Sequence, residues 1–274
     1  MYYRHNLGYE YPEKCDQHMI TVKNPRNISF DENYNYLPKG FFPWIKRVTF
    51  WCAMNFLVFP VCTFAFGVRI KGKKNIKKNK KLLKNGAITI SNHVFKWDYI
   101  CVLKAIRPHL VNFPGWKDNF LGSEAWMVKW AGGIPIPTDN IKAMRKFKIA
   151  MEDILVSKKW MHFYPEGSMW LFYPDIRPLK NAVFKFAVKY DRPIIPITMS
   201  FRERKGITKL FTKWPMVDVH IGEPLVPSKD KPKNEEVERL HKVAYHVMQE
   251  MNGITPDMPN YNFDQTPDNY KKTM

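Results

Sequence analysis

From Ala87 onward, the sequence alternates between short apolar runs of strand length and amphipathic segments of helix length. The strand-like runs are Ala87–Ile90, Leu110–Phe113, Trp160–Tyr164, Ile194–Met199 and Met216–Ile221. The helix-like segments are Tyr99–Ile106, Ser123–Trp130, residues 141–156, Ala182–Lys189 and a last helix from an Asn234 cap to Gly253. Such alternation is typical of a sheet covered by helices. We therefore expect an α/β fold with a mixed central β-sheet flanked by helices.

An uncharged apolar stretch, Val48–Val68, precedes this alternating region. As a helix its 21 residues would span about 31 Å, close to the roughly 30 Å hydrocarbon core of a bilayer. Asn55 and Pro60 near its middle argue against an uninterrupted crossing. A broken helix or helical pair that enters one leaflet fits at least as well, and a buried core helix is the third interpretation.

The charge balance indicates an anionic partner, because 44 Lys and Arg against 25 Asp and Glu give a formal net charge of +19. Nine basic residues follow directly after the apolar stretch: Arg69, Lys71, Lys73, Lys74, Lys77, Lys78, Lys80, Lys81 and Lys84. This position favours an anionic membrane surface, and no nucleic-acid partner is expected. A solvated loop, basic because the whole chain is basic, is the alternative.

The cysteines Cys15, Cys52, Cys62 and Cys101 have neither paired nor metal-ligand spacing. They predict buried thiols in a reducing compartment, and no metal site. The first forty residues carry no charged-then-apolar signal pattern, so secretion is not expected.

A histidine and an aspartate follow the first predicted strand, at His93 and Asp98. Five residues of helix rotate a side chain by roughly 140°, so the two would not share a helical face. They can meet if His93 lies in the turn after the strand and Asp98 lies in the first turn of the next helix. A carboxylate there would accept the Nδ1–H and leave Nε2 free to take a proton from a hydroxyl. A buried histidine satisfied by a nearby carboxylate is the alternative.

A second polar segment, Tyr164-Pro165-Glu166-Gly167-Ser168, begins at the last residue of the predicted strand Trp160–Tyr164. Gly167 would let backbone N–H groups approach a ligand, and Ser168 could donate to a phosphate or acyl oxygen. Arg177 and Lys180 follow where the next helix begins, so they could hold an anionic headgroup. A plain strand-to-helix turn is the competing interpretation.

Together, these segments resemble the glycerolipid acyltransferase family typified by 1-acylglycerol-3-phosphate acyltransferases. The resemblance covers roughly residues 45–250. Its specific motifs are Asn92-His93 with Asp98, and Tyr164-Pro165-Glu166-Gly167-Ser168. The supporting segments, in chain order, are Gly133-Ile134-Pro135-Ile136, Pro193-Ile194-Ile195-Pro196-Ile197 and Val219-His220-Ile221-Gly222-Glu223-Pro224.

The resemblance implies transfer of an acyl group from acyl-CoA or acyl carrier protein to the hydroxyl of a lysophospholipid at the cytoplasmic face of the cell membrane. The expected acceptor is 1-acylglycerol-3-phosphate, giving phosphatidic acid, and no cofactor is implied. His93 would be the general base and Asp98 its orienting partner, while Glu166, Gly167 and Ser168, with Arg177 and Lys180, would form the acceptor site. The implied organisation is a polar arm (1–40), a membrane-associating helical segment with the basic run (41–84), a catalytic domain (85–253) and a polar tail (254–274).

The sequence departs from the family pattern at two positions. Met169 and Thr138 stand where the family usually has arginines linked to the acceptor phosphate. Arg177, Lys180 or Arg145 could substitute, or the acceptor could lack a terminal phosphomonoester. Two further functions stay open: a basic membrane- or nucleic-acid-binding protein with an idle acyltransferase fold, and a thioester hydrolase that uses the same His–Asp pair on water.

Overall fold

The computed structural model describes residues 8–15, 17–20, 22, 25–210 and 212–254. Their strands form one seven-stranded sheet in the order β1-β7-β6-β2-β5-β3-β4. The strands are β1 (Arg69–Lys71), β2 (Ile88–Ser91), β3 (Val111–Trp116), β4 (Gly133–Ile136), β5 (Trp160–Phe163), β6 (Ile194–Arg202) and β7 (Met216–Ile221). All neighbouring pairs are parallel except β6 with β7, which is antiparallel. The predicted mixed sheet is therefore confirmed.

Helices cover both faces of this sheet. They are α1 (Phe41–Ala53), α2 (Phe59–Ala65), α3 (Lys73–Lys78), α4 (Asp98–Ala105), α5 (Ala125–Trp130), α6 (Ile141–Val156), α7 (Ala182–Tyr190) and α8 (Lys233–Met251). Buried side chains of α1, α2 and α4 belong to one apolar core. Those of α6, α7 and α8 belong to the other. Because β2, β5, β3 and β4 are parallel, their carboxyl ends lie at one edge of the sheet. Ligand sites of α/β folds lie at this edge.

Most predicted elements lie within a few residues of their observed bounds, and α6 and β7 have the predicted bounds. The basic run differs, since it contains β1 and α3. Lys71 forms an ion pair of 2.9 Å with Asp218, and Lys78 one of 2.5 Å with Glu223. Because β1 pairs with β7, the sheet begins before residue 85, the predicted start of the catalytic domain.

The apolar stretch forms one continuous helix, Phe41–Ala65, in which a π-helical turn, Met54–Val58, joins α1 to α2. We call it the apolar helix. Pro60 has no N–H to donate within this helix, but it follows directly on the π-helical turn, in which the Phe59 N–H donates to the Met54 carbonyl, and the helix continues through it. By length and composition it could cross a membrane.

Four residues of the apolar helix are buried: Phe50, Met54, Phe59 and Cys62. Its exposed large apolar side chains are Phe41, Phe42, Trp44, Ile45, Phe56, Leu57, Val61 and Phe64. Cys52 is exposed on this helix, so the prediction of a buried thiol is wrong at that position, whereas Cys15, Cys62 and Cys101 are buried.

Three cationic side chains connect the apolar helix to the sheet domain. Arg47 donates to the Val111 carbonyl at 2.6 Å. Lys104 donates to the Phe59 carbonyl at 2.7 Å, and Arg107 donates to Oδ1 of Asn55 at 3.1 Å. These bonds to both halves of the helix hold it along the domain.

Candidate active site

The turn after β2 brings His93 and Asp98 together. Asp98 is the first residue of α4, and its Oδ2 lies 2.5 Å from Nδ1 of His93. The Asp98 side chain is 1% exposed and the His93 side chain 20% exposed. This is the geometry that the five-residue spacing predicted. A carboxylate only accepts hydrogen bonds, so Nδ1 carries the proton and Nε2 is left as a proton acceptor.

The backbone around His93 is fixed by two other elements. Asn92 is buried, and its amide exchanges two hydrogen bonds with the backbone of Met199 on β6, at 2.8 and 2.9 Å. The His93 N–H donates to Oε2 of Glu166 at 3.0 Å. The backbone that carries the imidazole is therefore held by β6 and by the turn after β5, the two strands that flank β2.

Tyr164 is a site residue to which the sequence analysis gave no role. Its ring stacks on the His93 imidazole with centroids 4.0 Å apart, and its hydroxyl donates to Oδ1 of Asp98 at 3.0 Å. Burial, with the neighbouring Asp98 charge, raises the pKa of the Tyr164 hydroxyl well above its usual range. The hydroxyl is therefore a permanent donor that supports the carboxylate. The sequence feature that could have indicated this role is the position of Tyr164 at the start of the motif Tyr164–Ser168.

Glu166, Ser168 and Arg177 form a buried cluster with the Cys15 carbonyl, which we call the anchor network. Arg177 pairs with Glu166 at 2.7 Å, and both side chains are fully buried. Arg177 also donates to the Ser168 hydroxyl and to the Cys15 carbonyl, each at 2.7 Å. The Ser168 hydroxyl donates to the same carbonyl at 2.7 Å.

The anchor network changes the roles expected for these residues. The Nη1 and Nη2 groups of Arg177 and the Ser168 hydroxyl bind protein atoms, and neither residue lines the cleft described below. The prediction that Arg177 contacts a headgroup directly is therefore wrong. Arg177 supports the site instead, because its charge is paired with that of Glu166. Glu166 likewise supports the site through the His93 backbone.

Gly167 and Lys180 lie together at the cleft. Gly167 has φ +82°, and a Cβ at this position would come within 2.8 Å of Nζ and Cε of Lys180. A glycine thus lets the Lys180 side chain pass over the turn, while the Gly167 N–H donates to the Tyr164 carbonyl at 3.0 Å. Of the expected acceptor-site residues, these two line the cleft with His93.

The cleft has a volume of about 950 Å³. Part of its apolar lining comes from β5, α6 and α7: Met144, Phe147, Met151, Phe163, Val183 and Phe186. Its charged and polar lining includes His93, Asp98, Lys96, Lys148 and Lys180. Such a combination of an apolar cavity with a few convergent polar groups is typical of a ligand site.

The two departures from the family pattern both face this cleft, because Met169 and Thr138 are among its lining residues. Arg145, a candidate substitute, is exposed on α6 and does not line it. Lys148, one turn further along α6, does line it. Lysines therefore provide the cleft with its positive charge.

His162 on β5 is a buried structural histidine. Its Nδ1 lies 2.9 Å from the Thr89 hydroxyl and its Nε2 3.3 Å from the Ser91 hydroxyl. Burial, with a smaller effect of His93, lowers the pKa of His162 to about 3. It lies behind the site as a neutral imidazole.

Comparison with known proteins agrees with this geometry. Residues 67–200 match the model of a family described as Acyltransferase, and this stretch contains both His93–Asp98 and Tyr164–Ser168. Among solved structures, the chain is similar to the 1-acyl-sn-glycerophosphate (LPA) acyltransferase PlsC from Thermotoga maritima. That match has a TM-score of 0.50 and 18% identity, and covers 79% of this chain and 89% of PlsC. A search of curated protein sequences gave no significant match.

Proposed function

We propose that the chain is a membrane-associated O-acyltransferase of lysophospholipids, because residues 67–200 match the Acyltransferase family model and the fold is similar to that of PlsC. The donor in this proposal is acyl-CoA or acyl carrier protein. The acceptor is 1-acylglycerol-3-phosphate, and the product is phosphatidic acid. The observation that carries the proposal is the 2.5 Å contact between His93 Nδ1 and Asp98 beside a cleft with an extensive apolar lining.

The proposed reaction needs one base and no covalent enzyme intermediate. Nε2 of His93 takes the proton of the acceptor hydroxyl as that oxygen attacks the thioester carbonyl carbon. The carbon–sulfur bond then breaks, and the leaving thiolate takes the proton back from His93. Asp98 stabilises the imidazolium formed in between, and Tyr164 holds Asp98 in place.

The charge of the cleft supports an anionic acceptor. Lys96, Lys148 and Lys180 line it, whereas Asp98 and Glu124 are its acidic lining residues. Asp98 is committed to His93, and Glu124 lies 3.5 Å from Lys96. Three lysines against two carboxylates give the cleft lining an excess of positive charge, which suits a phosphate headgroup, because a lysine binds phosphate as a point charge. We propose Lys180, which lies over Gly167, as the principal phosphate ligand.

The apolar helix supports association with a membrane, and the proposed site is its cytoplasmic face. Its exposed side includes Phe42, Phe56 and Phe64, each more than 70% exposed. Aromatic side chains of this kind partition into the boundary between headgroups and acyl chains. Because Arg47, Lys104 and Arg107 hold the helix along the domain, we propose that it lies in one leaflet.

The proposal is tested with the full-length chain in phospholipid vesicles, a labelled acyl donor and a panel of lysolipids. The donors are acyl-CoA and acyl carrier protein thioesters of the same fatty acid. We expect labelled diacyl product with 1-acylglycerol-3-phosphate in the wild type, and none with His93→Ala.

Three outcomes would contradict the proposal. Free fatty acid in place of acylated lipid identifies a thioester hydrolase. No product with any acceptor or donor identifies an idle fold. Turnover confined to acceptors without a phosphomonoester refutes the choice of acceptor while keeping acyl transfer.

A further inference from the structure

The N-terminal arm crosses the site, although the sequence analysis gave it no chemical role. We call its described residues from Cys15 to Arg26 the strap. At one end, the Cys15 carbonyl accepts from Ser168 and Arg177, and the Gln17 carbonyl accepts from the Trp170 indole at 3.1 Å. At the other end, Arg26 donates to the carbonyls of Leu121 and Gly122 at 3.2 and 2.9 Å. The strap is thus held at both ends.

Between these ends, three strap residues line the cleft with His93: His18, Ile20 and Val22. The His18 imidazole stacks on the Trp116 ring with centroids 4.1 Å apart and planes 12° apart. Trp116 is the last residue of β3 and also lines the cleft. Stacking of this closeness fixes the plane of the imidazole, so both ring nitrogens lie in a plane parallel to the Trp116 ring at the cleft.

Two of the charged neighbours of His18, His93 and Lys180, line the cleft. His93, Arg177 and Lys180 interact with it unfavourably in its protonated form, and Asp118 favourably. Burial is the largest effect, and together these influences lower the pKa of His18 to about 4. At neutral pH His18 is therefore an uncharged imidazole, which can donate one hydrogen bond and accept another.

We propose that His18 binds the polar headgroup of the acceptor beside Lys180 and helps determine which lysolipid is accepted. The strap then completes the acceptor site from the N-terminal arm. Where Thr138 and Met169 offer the headgroup no positive charge, His18 supplies a hydrogen-bond donor. This inference rests on the proposed acyltransferase function, and it adds a specificity residue that lies outside residues 67–200, which match the family model.

The test compares His18→Ala and His18→Asn with wild type in the full-length chain. The acceptors are 1-oleoylglycerol-3-phosphate and 1-oleoylglycerophosphocholine, with an oleoyl thioester donor. The matched control is His109→Ala, because His109 stacks on Trp160 in the same way, at 4.0 Å and 11°, but does not line the cleft. Each variant is also assayed for thermal unfolding and for binding of the 2-deoxy analogue of the phosphate acceptor, which lacks the hydroxyl to be acylated.

With His18→Ala, we expect the KM for the phosphate acceptor to rise roughly three- to ten-fold, the effect of losing one hydrogen bond. The Kd of the deoxy analogue should rise by the same factor, while kcat, the donor KM and the Tm stay at wild-type values. His18→Asn should restore most of the acceptor KM, because its amide also donates. His109→Ala should match the wild type in all these measurements.

Several results would overturn the inference. These are an unchanged acceptor KM in His18→Ala, an equal loss with both acceptors accompanied by a lower Tm, or a rise in kcat/KM, which would mean that the strap blocks entry. If the wild type makes no product, the proposed function fails and the deoxy analogue decides this inference separately. Binding that weakens in His18→Ala supports it, and absent or unchanged binding refutes it.

Discussion

Two groups of polar side chains lie side by side beyond the carboxyl ends of β2 and β5, and they differ in access to the cleft. The first is the reactive group, His93, Asp98 and Tyr164, which lines the cleft. The second is the anchor network of Glu166, Ser168 and Arg177 on the Cys15 carbonyl, which is sealed from solvent. The motif Tyr164–Ser168 contributes to both groups. Neighbouring polar residues of one motif thus have different roles. Contact with the cleft distinguishes the residues of the reactive group from those that hold the backbone.

The difference predicts that activity and stability can be lost separately. His93→Ala should lower kcat by roughly 10²–10⁴-fold, because that is the usual contribution of a positioned base. Its Tm should stay near that of the wild type, since His93 lies at the cleft surface. The measurement is steady-state turnover alongside thermal unfolding. Near-normal turnover in a folded variant would remove His93 from the chemistry.

The opposite result is expected in the anchor network. Arg177→Met should lower the free energy of unfolding by about 3–5 kcal/mol, because it leaves the buried Glu166 without its partner. Denaturant titration measures this loss. The double variant Glu166→Gln/Arg177→Met is the control, and it should recover part of the stability by removing the unpaired charge. A loss below about 1 kcal/mol, typical of an exposed ion pair, would show that the pair is not sealed.

Within the reactive group, Asp98→Asn should lower kcat about 10- to 100-fold and change KM little. This loss is smaller than that expected for His93→Ala, because Asp98 acts only through His93. The amide can no longer stabilise an imidazolium, although its size is retained. Separate measurement of kcat and KM with the preferred acceptor tests this. A change mainly in KM would instead make Asp98 a substrate-binding residue.

The smallest predicted effect concerns His162, which lies behind the reactive group but is as sealed as the anchor network. Its pKa is about 3 in the folded chain against 6.5 as the ordinary value. Between these values the unfolded chain binds a proton that the folded chain does not, so stability falls as the pH drops below 6.5 and is unaffected above it. From pH 7 to 5 this should cost about 1–2 kcal/mol.

Urea unfolding of wild type and His162→Gln at both pH values isolates this contribution. His18 and His241 also have pKa values lowered to about 4, so the wild type carries their effects as well. The difference between the two proteins removes these shared terms. An identical pH response in wild type and variant would mean that His162 is hydrated.

Local patterns predicted much of the fold and the centre of the site. The helical spacing of residues 141–156 gave the bounds of α6, and the His93–Asp98 spacing gave their contact, because both depend on neighbours in sequence. The strand β1 was missed because it has only three residues, and two of them, Arg69 and Lys71, are basic and exposed, so Ile70 alone gives no apolar alternation.

The anchor network and the strap could not be predicted in this way. Cys15 and Arg177 are 162 residues apart, and their contact depends on the whole sheet having formed. Arg177 in the sequence looks like any cation near a helix start, so its burial leaves no local pattern. His18 likewise acquires its position from Trp116, the end of a distant strand.

The bonds from Arg47, Lys104 and Arg107 tie the apolar helix to the domain that carries the cleft. In the proposed membrane-bound state, the height of His93 above the leaflet is then set when the chain folds, not by a hinge. A lysolipid must rise by that fixed distance for its hydroxyl to meet the imidazole. Bilayer thickness and headgroup size would therefore act directly on the encounter between enzyme and substrate.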